Sequence, residues 1–215
     1  MQPPSGPVNV SIPLDDWDQP AHGDAVVRTV SSRYAPDPYR ISLFAERIRK
    51  SKNPALVYGP EIDRSGAWDA GVKFAEQLQA PVFLAPLADR ASFPETHPQF
   101  RGMLPIAIGP LSKRLNSHDL IIVIGAQVFR YYPYLVGDYL PAGAELLQIV
   151  SDPADAGAAA VGDSLLGDAK LALEALIQLV PKNGRSLPAP SRVDDKLPSP
   201  PNDPLTAREA FAALS

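Results

Sequence analysis

Cysteine is absent from the 215 residues. That excludes disulfides, thiolate catalysis and cysteine-ligated zinc or iron–sulfur centres, and it fits a reducing compartment. Histidine is nearly as scarce: His22, His97 and His118 stand far apart, with no HxxxH or HExxH spacing for a metal. A surplus of positive charge is also missing. Acids outnumber bases 24 to 20, so the chain has no counter-charge for a phosphate backbone, and nucleic acid is excluded as a partner. Long apolar runs are wanting too. The stretch Leu120–Ile124 is typical, and nothing approaches the roughly 18 residues of a membrane span. The opening MQPPSGPVNV has no basic region followed by an apolar stretch, so it does not read as a signal peptide. These features together predict a cytoplasmic chain with no membrane partner.

What the sequence has in excess is proline. There are 25, seven of them in residues 1–40 and seven in residues 181–215. The termini therefore read as connecting chain, and the middle as a folded unit. An apolar content of 45% is enough for one sizeable core.

Inside that unit two periods alternate. Pro38–Lys50 has Tyr39, Leu43, Phe44, Arg47 and Ile48 at helical spacing. Pro54–Tyr58 is a short apolar strand closed by Gly59-Pro60. Ser65-Gly66 opens a helix with Trp68, Val72, Ala75 and Leu78 on one face. Pro81–Ala85 is the next strand, followed by an irregular, proline-rich stretch to Gly102. Gly109–Asn116 reads as helix, Asp119–Gly125 as a buried strand and Glu145–Val150 as another. Asp168–Val180 is a helix facing inward through Ala169, Ala172, Leu173, Leu176, Ile177 and Val180. Continuous apolar strands separated by amphipathic helices predict an α/β fold: a doubly wound, mostly parallel sheet with helices on both faces.

Ligands of such sheets bind beyond the C-terminal strand ends, so the loops there matter most. After the first strand comes Gly59-Pro60-Glu61-Ile62-Asp63. Pro60 has no N–H to offer an anion, and Glu61 and Asp63 would repel one, so the segment reads as a turn and helix start. After the strongest strand, Phe129, Tyr131, Tyr132 and Tyr134 crowd around Arg130. This loop is either a pocket wall or a packing surface. His97 has no Ser or Asp nearby to complete a nucleophilic relay, so it reads as structural. His118 and Asp119 read as caps at a strand entrance. Neighbouring carboxylates in Asp15-Asp16-Trp17-Asp18 point apart on an extended chain, which favours a solvated turn anchored by Trp17 over a metal site. No nucleophile elbow and no P-loop occurs.

Five segments also carry a resemblance. They are Gly6–Asp18, Asn53–Asp63 (NPALVYGPEID), Ala80–Pro86 (APVFLAP), Phe93–Gly102 (FPETHPQFRG) and His118–Tyr131 (HDLIIVIGAQVFRY). In this order they resemble thiamin-diphosphate-dependent 2-oxo acid decarboxylases, and among these the benzoylformate decarboxylases, from about Gly6 to Gly162. The resemblance implies a Rossmann-like central domain lying between a pyrimidine-binding and a diphosphate-binding domain. On that reading residues 1–36 are the tail of the first domain plus linker, and 37–182 are the central domain. Residues 183–205 are a proline-rich linker, and 206–215 begin a truncated third domain. There Thr206-Ala-Arg-Glu209 has the form of a capping box.

The implied parent reaction converts a 2-oxo acid to an aldehyde and carbon dioxide, using thiamin diphosphate and magnesium. The parent is implied to be a homo-oligomer. The chain has no GDG motif for the diphosphate and magnesium: Gly23-Asp24, Gly137-Asp138, Gly162-Asp163 and Gly167-Asp168 all continue differently. The expectation is a structural domain with no cofactor-binding residue of its own, inactive alone, whose partners are the two flanking domains. One catalytic candidate remains. Where benzoylformate decarboxylases carry a proton-transferring histidine after Phe-Arg-Tyr, this sequence has Tyr132. A tyrosine near pKa 10 is a poorer shuttle at neutral pH than a histidine near 6.5. The alternative is a nucleotide-binding regulatory module of the ADP or FAD type. Removing the flanking domains should also leave apolar surface exposed around Trp17 and Tyr131–Tyr139.

Overall fold

The computed structural model describes residues 7–20, 31–129 and 135–186, with 23, 24, 26 and 28. Six strands form one parallel sheet in the order β3-β2-β1-β4-β5-β6. They are β1 (Pro54–Tyr58), β2 (Val82–Leu84), β3 (Phe100–Met103), β4 (Leu120–Ile124), β5 (Glu145–Val150) and β6 (Asp163–Leu166). The helices are α1 (Pro38–Lys50), α2 (Glu61–Arg64), α3 (Trp68–Leu78), α4 (Ile108–Arg114), α5 (Pro153–Gly157) and α6 (Ala169–Leu179). This is the doubly wound α/β fold expected, and every strand pair is parallel.

β1 and β4 are buried along their whole length, because the sheet is covered on both sides. One core layer joins α1, α3 and α6 to the sheet through Phe44, Ile48, Phe74, Leu78, Leu173 and Leu176. The other packs Leu104, Ile108, Leu111, Leu115 and Phe129 against Val57, Ile121 and Val123. Each fully buried residue of this kind contributes about 1.5–3 kcal/mol. The buried stripe of α1 is Ile41, Phe44, Ala45 and Ile48; Tyr39 lies outside it and is exposed. On α3 the deepest side chain is Phe74, while Trp68 and Val72 are half-buried.

The helix starts are chemically marked. Asp37 accepts from the Arg40 N–H at 2.8 Å, with Pro38 in the first turn, and Asp168 accepts from the Lys170 and Leu171 N–H groups. Three elements depart from the sequence expectation. β3 lies inside the stretch expected to be irregular, and β6 and α5 were not foreseen. β3 is an edge strand of only four residues, half-buried or exposed, so it has no apolar run to betray it. β6 reads Asp-Ser-Leu-Leu, with one buried residue, for the same reason.

Leu14–Asp18 forms a 3₁₀ turn in which Trp17 is 70% exposed, so Trp17 does not anchor it. Val8, Val10, Ile12 and Leu14 are exposed as well. The expected exposure near Tyr139 holds at Leu135 and Val136, whereas Tyr139 itself is half-buried. Among the described residues no helix is long and apolar enough to cross a membrane.

Candidate functional site

The strand order reverses between β1 and β4, and their C-terminal ends define the crevice where such sheets take ligands. Two glycines let the loops touch there. A Cβ on Gly59 would lie 2.3 Å from the Ala126 Cβ and 2.4 Å from the Gly125 oxygen. Gly125 has φ 70°, and a Cβ on it would lie 2.7 Å from that of Glu61. The Glu61 N–H donates to the Gly125 carbonyl at 3.1 Å, tying α2 to the end of β4.

Polar side chains set the remaining geometry. Gln148, wholly buried in β5, donates to the Ala126 carbonyl at 3.0 Å and accepts from the Ser164 hydroxyl at 2.5 Å. The Glu61 carboxylate accepts from the Ser151 hydroxyl at 2.8 Å and from its N–H at 3.0 Å. The Tyr34 hydroxyl donates to the Ser151 carbonyl at 2.5 Å. The turn after β5 is thus clamped between α2 and the segment preceding α1.

Two concavities flank Glu61. A cleft of about 330 Å³ is lined by Pro60, Ala85, Pro86, Leu87, Ile106, Ala126 and Phe129, with Glu61, Arg64, Asp89, Gln127 and Asp155 as its polar part. A groove of about 810 Å³ shares Glu61, Arg64 and Asp155 with it and runs past Arg33, Tyr34, Ser65 and Asp168. Burial pushes the Glu61 carboxyl above its ordinary value; Asp155 adds to the rise, while the Ser151 hydrogen bonds and Arg64 oppose it. Burial, then Glu61, Asp152 and Asp168, raise the Tyr34 hydroxyl.

The cleft does not suit a diphosphate. Pro60 contributes no amide hydrogen, α2 is a single turn, and two carboxylates face the space. The same features count against an ADP- or FAD-type ligand. Among the described residues no group of three or more His, Asp or Glu side chains is placed to hold a metal.

Of the residues singled out in the sequence, Phe129 is buried and lines the cleft. Tyr131, Tyr132 and Tyr134 lie outside the described residues. So do His22, the capping box and most of the proline-rich linker. His97 packs edge-on against Phe93, and its Nδ1 accepts from the Gln99 N–H at 3.2 Å, which is a structural role. Asp119 accepts from the Ser51 hydroxyl and from the Lys52 and Asn53 N–H groups, so it does cap the entry to β1. His118 stands beside it, with Nδ1 3.1 Å from the Asn53 carbonyl; burial lowers its pKa, against smaller opposing effects of that carbonyl and Asp119. Sequence reasoning missed Gln148, Ser151 and Asp155. For Gln148 there was a signal: one amide in the otherwise apolar run Leu146–Val150.

Comparison with known proteins agrees with this architecture. Residues 41–176 match the family model of the thiamine pyrophosphate enzyme central domain. A benzoylformate decarboxylase of Pseudomonas aeruginosa is 46% identical over 202 residues, which is 93% of this chain and 37% of that protein. The crystal structure of a benzoylformate decarboxylase from Polynucleobacter necessarius superposes with a TM-score of 0.89 at 46% identity, covering 100% of this chain and 40% of that one. A thiamine diphosphate-dependent 4-hydroxybenzoylformate decarboxylase from Rhodococcus jostii gives 0.71 at 41% identity, covering 75% and 31%. The chain spans little more than a third of the length of these relatives. With more than half of its length matched, and with the doubly wound sheet in place, the chain belongs to the family of thiamine pyrophosphate enzyme central domains.

Proposed function

We propose that this chain is the central domain of a cytoplasmic, homo-oligomeric decarboxylase that converts a 2-oxo acid to an aldehyde and carbon dioxide. The observation that carries the reading is the 46% identity to benzoylformate decarboxylase over nearly the whole chain but only 37% of the relative. Thiamin diphosphate and magnesium belong, on this reading, to the two flanking domains of the parent. A cleft that presents carboxylates instead of amides to a ligand supports that division. The exposed side chains Val8, Val10, Ile12, Leu14 and Trp17 support it too, since a neighbouring domain would remove them from water. The domain bridges its neighbours and lends the loop Phe129–Tyr134 to their active site, with Tyr132 as the candidate pocket residue. Residues 37–182 form the domain proper.

Two measurements test the proposal. Adding thiamin diphosphate and magnesium to the 215-residue chain should leave its Tm unchanged, and the chain should release no aldehyde from benzoylformate. A rise of about 5 °C or more, as saturating binding to the native state would cause, refutes the division of labour. In the full-length parent, Tyr132→Phe should lower kcat while leaving the Tm in place. Unchanged turnover would assign the loop to packing alone.

A further inference from the structure

The cleft and the groove on either side of Glu61 share three residues and form one trough along the C-terminal edge of the sheet. Its charge is lopsided. Six carboxylates line it (Glu61, Asp63, Asp89, Asp152, Asp155 and Asp168) against three arginines. Each arginine is already engaged: Arg33 with Asp168 at 3.4 Å, Arg64 with Asp89 at 2.8 Å and Arg90 with Asp63 at 2.7 Å. Glu61 takes its hydrogen bonds from Ser151, a neutral donor, and is held near Asp155 away from bulk water. The opposite wall of the cleft is apolar. Pro86, Leu87, Ile106 and Phe129 form it, and Leu87, with φ 58°, is kept in a conformation unfavourable for a residue other than glycine. Farther along, the Ser65 hydroxyl is buried in the groove wall, with no hydrogen-bond partner.

We propose that this trough binds a small organic cation: a primary ammonium or guanidinium group seated between Glu61 and Asp155, carried on an apolar body that lies on the Leu87–Ile106–Phe129 wall. A carboxylate taken out of water gains most from a charged donor brought to it. The apolar wall gains from a flat hydrocarbon face, and Ser65 can meet a second polar group on a longer ligand. The site does not rest on the decarboxylase reading, since every residue in it belongs to this chain.

A charge series of equal shape tests it: benzylamine, benzyl alcohol and benzoate titrated into the 215-residue chain at neutral pH, followed by calorimetry and amide chemical shifts. Benzylamine should bind with a Kd of about 1 mM, as befits so few heavy atoms. The amides of Gln127 and Ser151 should respond. Benzyl alcohol should bind at least roughly tenfold more weakly, and benzoate should not saturate. Glu61→Gln should weaken benzylamine by roughly tenfold. Because that substitution also touches the Ser151 turn, Asp155→Asn is the companion variant, expected to weaken binding in the same direction. Equal binding of the three probes, responses confined to other surfaces, or no saturation at roughly ten times the expected Kd would overturn the proposal. So would two folded variants with unchanged affinity. Saturable binding of ADP to the same amides would replace it with the nucleotide reading.

Discussion

Gly59→Ala is the sharpest test of how the β1 and β4 loops meet. The added methyl would lie 2.3 Å from the Ala126 Cβ, 2.4 Å from the Gly125 oxygen and 2.9 Å from the Ala126 Cα. None of these atoms is the far end of a flexible side chain, so the backbone itself has to move. Overpacking of this kind costs about 3 kcal/mol, the upper end of the usual range. For a domain of this size each kcal/mol moves the Tm by about 2–4 °C, so the expected drop is about 6–12 °C. The bond from the Glu61 N–H to the Gly125 carbonyl, 3.1 Å long, crosses the same contact and should lose its protection against hydrogen exchange. Gly157→Ala is the control. It closes α5 with nothing within 4 Å of the new methyl, and it should be neutral or stabilise by about 0.5 kcal/mol. Thermal melts by circular dichroism, with urea titrations to check the m-value, read both variants. If Gly59→Ala melts within about 2 °C of the parent, the two loops are not in contact and the geometry of the cleft is wrong.

Asp119→Ala removes the acceptor of three hydrogen bonds at the start of β1 and should cost about 2–3 kcal/mol by urea denaturation. Burial opposes ionisation of Asp119, but hydrogen bonds from Ser51, Lys52 and Asn53 prevail, so its folded pKa lies below 3.8. Its contribution is therefore complete above the unfolded value and is lost as the pH falls through the folded one, so the two proteins should converge in stability only in strong acid. Gln99→Leu would strand the Ala75 and Ala80 carbonyls, each now receiving the Gln99 amide at 2.7 Å, where α3 ends. The expected cost is about 2 kcal/mol with no change in the β1–β4 cleft, and a loss under about 0.5 kcal/mol would show that water replaces the amide. Gln148→Leu should leave global stability within about 2 kcal/mol of wild type, because packing gains offset the lost hydrogen bonds. It should still shift the amide signals of Ala126 and Gln127, which a purely structural glutamine far from the cleft would not do.

The elements legible in the sequence share one property: their burial is regular. Leu120–Ile124 is apolar at every position because the strand is covered on both faces, and Asp168–Val180 repeats its apolar residues with helical spacing because one side meets the sheet. β3 and β6 were not legible, since edge strands of four residues bury too little to leave a pattern. The resemblance reached further than periodicity, because ordered motifs name a family even where local burial is weak.

By itself the sequence determined the fold class, the family, the absence of thiol chemistry and the poverty of anion-binding amides after β1. Those follow from composition and from residues adjacent in the chain. Only the tertiary structure decided that Glu61, Ser151, Asp155 and Gln148 converge, that Gly59 has no room for a methyl group, and that the arginines near the trough are engaged. Glu61 and Ser151 are 90 residues apart. Such contacts depend on which strands become neighbours at the switch point, and strand order is a property of the assembled sheet that no local stretch of sequence encodes.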